Sequence, residues 1–269
     1  MTKQTSSAPT GAQKVVVGLM ALIENGDLSP GDPIPKTADL AEHFGVNKNT
    51  ASRAVQLLKE RGVLSGKAGG TTRVRVPPMY QVRSTTRYQI EKDRVLLPEE
   101  ERRTAGVAEL DSKIPVSAMY ENHVKLDVLP APADVAEVLG LEPGALVLRR
   151  IGTRRHREGA GESRSVSYMP HDLAVQNPAL FDPDREPWPG GSLHQLYTLG
   201  VEVERIEDTI TAYMPSAEEM ERQDIPLGVP IMHVRKISYS TSGDAVEVTD
   251  IPFPADRIKL HYVTPLRPW

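Results

Sequence analysis

Residues 37–62 read TADLAEHFGVNKNTASRAVQLLKERG, and this stretch decides how the first quarter of the chain folds. Leu40, Ala41 and Phe44 fall on one side of a short helix for which Thr37 supplies a capping hydroxyl. Gly45-Val46 makes a tight turn, since glycine enters left-handed backbone without steric cost. Asn47 caps the next helix. There Ala51, Ala54, Val55 and Leu58 recur at helical spacing as a buried stripe, and Gly62 closes it. Working outward, Ala12, Val16, Leu19, Met20 and Ile23 form the apolar stripe of a preceding helix that stops at Asn25-Gly26. On the other side, Val63-Leu64 and Thr72–Val76 pair as two short strands around Gly66-Lys67-Ala68-Gly69-Gly70. The unit is three helices and a hairpin.

Opposite its apolar stripe the third helix shows Lys48, Asn49, Ser52, Arg53, Gln56 and Lys59, with no acid among them. Asn and Gln bond bidentately to adenine, Arg and Lys to guanine or phosphate, so this face suits a helix lying in the major groove of DNA. Lys67 and Arg73, on a glycine-built hairpin tip, are placed to approach the neighbouring minor groove. Charge agrees. Residues 1–76 hold ten basic and six acidic side chains, net +4, whereas the remainder holds 22 and 30, net −8. A small basic module joined to a larger acidic one places a polyanion on the first part alone; a merely solvated charged face is the competing reading.

The 269 residues suit two domains, and 39% apolar with 25% charged residues is the balance of a folded chain. No apolar run approaches the length of a membrane span, and the polar first residues lack a secretory apolar stretch, so the expected location is cytoplasmic. The absence of cysteine excludes disulfides, thiolate catalysis and Cys-ligated metals. The seven histidines are scattered, and no phosphate loop or nucleophile motif occurs. No metal, cofactor or catalytic residue is expected.

Pro77-Pro78 ends the first module, and 78–110, polar and charged, reads as a linker after a tail at 1–10 and a domain at 11–77. From 111 onward the pattern alternates. Strands are predicted at Val116–Val128, Leu146–Thr153, Ser165–Met169, Val201–Met214, Ile231–Ser240 and Ala245–Ile251, with helices at Ala133–Leu139, Ser192–Leu199 and Ser216–Gln223. The class is α+β, a mixed antiparallel sheet with helices. Two helix–turn–strand units recur, one through Leu141-Glu142-Pro143-Gly144 and one through Ile225-Pro226-Leu227-Gly228. They suggest a pseudo-twofold pair enclosing a cleft, with chance recurrence as the competing reading.

Taken together, Asn25 to Asp32, Ile34-Pro35, Asp39-Leu40-Ala41, Phe44 to Thr50, Ala54-Val55, Leu58 and Gly62-Val63-Leu64 resemble the winged helix-turn-helix domain of GntR-type transcription factors. The later half is similar to the UTRA effector-binding domain of their HutC subfamily, whose fold is like that of chorismate lyase. The resemblance rests on Leu139 to Gly144 with Leu148-Arg149-Arg150, Ser167-Tyr168-Met169-Pro170, Gly191-Ser192-Leu193, Asp208-Thr209-Ile210, Ala245-Val246-Glu247 and Ala255-Asp256-Arg257. It implies a homodimeric DNA-binding regulator, a repressor, that meets palindromic half-sites of double-stranded operator DNA and responds to a small-molecule effector. The DNA contacts it implies are Lys36, Thr37, Lys48, Asn49, Thr50, Ser52, Arg53, Gln56, Lys67, Gly69, Gly70, Thr71 and Arg73. The family's usual Ser-Glu-Arg is here Lys36-Thr37-Ala38, with Lys36 as the substitute phosphate contact. For the effector it implies Ser84, Thr85, Thr86, Arg150, Ser165, Ser167 and Glu247. The second Arg expected on that strand is Gly152, which points to a ligand less anionic than a sugar phosphate. A lyase-like enzyme, by analogy with the C-terminal fold, is the alternative reading.

Overall fold

The structure is a computed structural model that describes residues 10–66, 70–76, 81–104, 120–156 and 162–266. Lys67 and Gly69 of the hairpin tip, the tail to residue 9 and residues 116–119 of the first expected strand lie outside these. The chain divides into two compact units, Met1–Pro78 with Ile225–Val229, and Met79–Asp224 with Pro230–Trp269.

In the first unit, α1 spans Gly11–Glu24 and starts with a capping box between Thr10 and Gln13. Helix α2 spans Thr37–Phe44, and Gly45, at φ 63°, ends it in left-handed backbone. The cap of α2 is Lys36 and not Thr37, which is itself the first helical residue. Lys36 holds extended backbone and makes no side-chain cap bond, so Asp39 in the first turn supplies the favourable negative charge. Helix α3 spans Lys48–Glu60, and Asn47 caps it by accepting the Thr50 N–H at 2.8 Å. Strands β1 (Leu64–Ser65) and β2 (Arg73–Val74) form the hairpin, with Leu64 opposite Val74.

The three stripes meet in one core around Val15, Leu19, Leu40, Ala54 and Leu58. Close approach of α1 and α2 requires Gly18: a Cβ there would lie 2.2 Å from the Phe44 ring.

The second unit begins inside the stretch read as linker. β3 (Gln81–Ser84) pairs in parallel with β10 (Ile258–His261), and α4 (Arg87–Arg94) and α5 (Glu99–Thr104) follow it. Polar composition concealed this order because Arg83 and Glu91 are buried with partners inside the fold.

A six-stranded antiparallel sheet forms the body. It contains β4 (Tyr120–Pro130), β5 (Leu146–His156), β6 (Glu162–Pro170), β7 (Val203–Tyr213), β8 (Ile231–Ser240) and β9 (Ala245–Pro254). Their spatial order β4-β5-β6-β9-β8-β7 is two three-stranded halves related by reversal, the arrangement the internal repeat suggests. The repeat helices are α6 (Ala133–Leu139) and α9 (Ala217–Gln223).

Because side chains alternate along a strand, Val147 and Leu148 point to opposite faces. Val147, Ile237 and Val248 pack with Val135 and Leu139 of α6. Leu148, Met169 and Val246 pack beneath a continuous cover on the other face. That cover consists of α7 (His171–Ala174), 3-10 turns at Pro178–Phe181 and Pro183–Arg185, and α8 (Gly191–Tyr197). Among the described residues no helix is long and apolar enough to cross a membrane.

Leu58 is fully enclosed on the stripe that decides the first unit. Leu58→Ala should cost about 2–5 kcal/mol of stability, read from denaturant unfolding of the N-terminal unit's transition. A loss below about 1 kcal/mol would contradict the packing of α3 described above.

Candidate functional site

Two places carry unusual chemistry, one in each unit. In the first, Lys36, Lys48, Asn49, Ser52, Arg53 and Gln56 are all exposed, and Thr37 and Thr50 are half-buried. Among the described residues neither Lys48 nor Arg53 makes an ion pair, so both leave their charge toward solvent. Gln56 donates to Glu60 at 3.2 Å, and Lys59 donates to the Gly66 carbonyl at 3.2 Å, tying the helix to the hairpin base. Gly70, Thr71 and Arg73 are exposed too, and Arg73 is held by the Gly31 carbonyl at 3.0 Å. A basic helix face with Glu60 as the acid at its C-terminal end, beside a basic hairpin, is an electrostatic footprint for a phosphate backbone.

In the second unit the covered face of the sheet carries a row of polar side chains. Arg150 on β5 stands opposite Ser167 on β6, Ser167 opposite Thr249 on β9, Thr249 opposite Lys236 on β8, and Lys236 opposite Asp208 on β7. Five strands thus each place one polar residue in a line under the cover, where a polar group needs a partner. At one end, the Tyr88 hydroxyl of α4 donates to Asp208 at 2.7 Å, and Arg83 of β3 lies 3.5 Å from the same carboxylate. Burial pushes the Tyr88 hydroxyl well above its usual range, with the Asp208 charge adding to the rise against Arg83.

In the middle, Lys236 donates to Glu247 at 2.8 Å and to Ser192 of α8 at 2.9 Å. Ser238 donates to the same Glu247 oxygen at 3.4 Å. At the other end Arg150 pairs with Glu186 of the cover. Glu186 also accepts the Trp188 N–H at 2.9 Å and the Gln195 amide at 3.3 Å.

A cavity opens over this second half of the row. It is lined by Leu148, Arg150, Ser167, Met169, Leu180, Gln195 and Glu247, and its volume of about 10 Å³ holds one water-sized sphere. Its floor is sheet, while Leu180 and Gln195 come from the cover. Arg150, Ser167 and Glu247, selected from the sequence, therefore converge. Four other selected residues do not line the cavity. Ser165 lies one pleat away beside Gly152, where a Cβ would sit 3.2 Å from its hydroxyl. Ser84 hydrogen-bonds to Thr86 at 2.9 Å at the entry to α4, and the Thr85 N–H is taken by the His261 carbonyl. The Ser84 and Thr86 hydroxyls meet each other in a turn.

His194 is buried and accepts the Trp188 indole N–H at 2.9 Å. Burial, followed by the charge of Arg102, holds its imidazole below the usual range. His171 sits 3.7 Å from Asp172 outside the cavity lining. No group of three or more His, Asp or Glu with metal-holding geometry occurs among the described residues.

The family models cover both units. The UTRA domain model matches residues 121–259, and that of the bacterial regulatory proteins of the gntR family matches residues 12–74. The chain belongs to the GntR family. This GntR regulator is 27% identical over 229 residues to an uncharacterised HTH-type transcriptional regulator of Streptomyces coelicolor, covering 84% of this chain and 81% of the other. It is 22% identical over 257 residues to the HTH-type transcriptional repressor NagR of Bacillus subtilis, covering 93% of each. A crystal structure of a GntR-family transcriptional regulator, 21% identical, matches 96% of this chain and 98% of its own with a TM-score of 0.63, a likeness of fold. The GntR regulator is a DNA-binding transcriptional regulator, and the lyase reading finds no support among these relatives.

Sequence reasoning did not single out Thr249 and Lys236 of the GntR regulator's polar row, Glu186 and Gln195 above it, or Glu91 of α4. Lys236 carried a signal, being a cation between Val234 and Ser238 at inward strand positions. Glu186 sits in a loop, where no periodicity marks which way a side chain turns.

Glu91 is buried and accepts the Leu193 N–H at 3.3 Å. Burial raises its carboxyl above the ordinary 4.5, against the opposing charge of Lys236. A carboxyl with a raised folded-state value binds its proton more tightly when folded, so stability falls as pH climbs above 4.5 toward that value. Glu91→Gln should remove this decline, so the variant's melting temperature gains on the parent's as pH rises through that window. Parallel melting curves for the two proteins would contradict it.

Proposed function

We propose that this GntR regulator is a HutC-type repressor, cytoplasmic and homodimeric, whose two α3 helices meet the half-sites of a palindromic operator. A small molecule bound over the polar row controls the affinity. The observation that carries the effector reading is the convergence of Arg150, Ser167 and Glu247, chosen from separate motifs, on one cavity. The name of the Bacillus relative, a repressor, supports the sign of regulation. The dimer rests on geometry: one small helix-and-hairpin module reads only a half-site. On α3, Arg53 and Asn49 are the base-reading residues, with Lys48, Thr50, Ser52 and Gln56 beside them. Lys36 and Thr37 hold phosphates, and Gly70, Thr71 and Arg73 belong to the wing, together with Lys67 and Gly69.

A cavity of water size cannot hold a metabolite, so binding requires the cover to move, and it shifts DNA affinity only through a difference in affinity between two arrangements. Couplings of this type are about 1–3 kcal/mol.

Two measurements test this reading. Arg53→Ala should weaken operator binding in a mobility-shift assay by about 1–3 kcal/mol, with little change on unrelated DNA. Equal loss on every sequence would move Arg53 to the phosphate contacts. A thermal-shift screen of metabolites, scored beside operator release, should yield an effector. Ser167→Ala should then raise the concentration needed for half release by roughly tenfold, the worth of one hydrogen bond. An unchanged release curve would place the effector elsewhere.

A further inference from the structure

The electrostatics of the polar row determine which ligands it admits. Two cations face the covered side of the sheet around the cavity, Arg150 and Lys236, and each already meets a carboxylate of the protein. Lys236 and Glu247 lie 2.8 Å apart with side chains 8% and 2% exposed. Arg150 pairs with Glu186, whose side chain is 6% exposed. A third carboxyl, Glu91, is near enough for the Lys236 and Glu247 charges to act on it, and burial holds it toward its neutral form. Arg150 and Lys236 are thus each compensated by a carboxylate before any anion arrives.

An anionic ligand would have to expel Glu186 from Arg150 or share the guanidinium with it. Both routes bring like charges together where little water screens them, and expulsion leaves a buried carboxylate without its partner. Glu186 is held by more than Arg150, since the Trp188 N–H and the Gln195 amide bind its two oxygens. A tethered carboxylate thus fills a three-donor anion site.

Two donors around the cavity remain unpaired, a neutral hydroxyl and an Arg150 N–H that Glu186 does not take. Thr249, 8% exposed, keeps a buried hydroxyl without a hydrogen-bond partner among the described residues, between Ser167 and Lys236 in the row. The Arg150 Nε is likewise buried and unbonded. Ser167 and Gln195 add hydroxyl and amide groups, and Leu148, Met169 and Leu180 add one apolar wall.

We propose that Glu186 is a specificity-determining residue, a built-in counter-anion that occupies Arg150 and restricts the pocket to small uncharged hydroxyl-bearing ligands, excluding phosphate esters. The proposal rests on reading this cavity as the effector site, and it deepens that reading by naming the ligand class.

Inorganic phosphate, titrated calorimetrically into the full-length chain, is the probe. Wild type should show no saturable phosphate binding that Arg150→Ala removes. Glu186→Gln, which keeps the side chain's shape and drops its charge, should gain about tenfold or more in phosphate affinity, the worth of one charge-assisted contact. The gain should vanish in the Glu186→Gln, Arg150→Ala double variant. Absence of any gain in a folded Glu186→Gln protein overturns the proposal. So does wild-type phosphate binding through Arg150 of the same strength. Should the Gln variant fail to fold, wild type against Arg150→Ala decides the matter. Phosphate binding lost with Arg150 counts against the proposal, and binding absent or unaffected by that change counts for it. Because phosphate titration reads only the charge state around Arg150, its failure differs from failure of the effector reading, which shows as operator release insensitive to Ser167→Ala.

Discussion

Lys236 and Glu247 face each other from neighbouring strands at a depth where neither charge survives alone. Removing one partner of such a pair costs several kcal/mol, so everything near it is constrained to keep both satisfied. Ser192 brings the start of α8 onto Lys236, and Ser238 supplies a further donor to Glu247. Glu91 reaches in from α4 to take the Leu193 amide beside them. The cover is therefore seated by polar contacts at its centre and by apolar packing at Leu193, Leu196 and Trp188 around them. That combination gives the closed cover one defined seat, whereas apolar packing alone tolerates sliding.

The same constraint explains why a segment of linker-like composition is ordered. Arg83 and Tyr88 complete Asp208 at the far end of the row, and Lys92 of α4 bonds Glu202 and the Val203 carbonyl, each at 2.8 Å. A chain rich in Arg, Glu and Gln packs when its charges find partners that a composition count does not display.

What the sequence disclosed follows this division. The helix-turn-helix was legible because its signals are local: Gly45 at a left-handed turn, Asn47 on the Thr50 amide, and an apolar stripe with a helical period. Thr37 misled, since a hydroxyl at a helix start reads as a cap although the helix begins one residue earlier, after Lys36. The six strands of the body were legible in position, whereas β3, inside the stretch read as linker, and β10 were not expected. The polar row was not legible as a row, because its members gain meaning only once five registers are known together. Arg150, Ser167 and Glu247 were reached through motif resemblance. Glu186 and Gln195, arriving from the cover, were beyond any periodic argument, and Ser84 to Thr86, read as ligand hydroxyls, stand at the turn before α4 and outside this cavity's lining.

The sheet order has a mechanical meaning of its own. β4 and β5 are in register from Tyr120 to Pro130, and β7 and β8 from Arg205 to Tyr213 after a register shift at Val203, yet β6 and β9 are matched only along Val166–Tyr168. The body is two broad pages bound by a narrow spine. Ser167 and Thr249 lie opposite each other in that spine, so a guest hydroxyl settling between them would act as a staple through the binding and set the angle at which the book stands open.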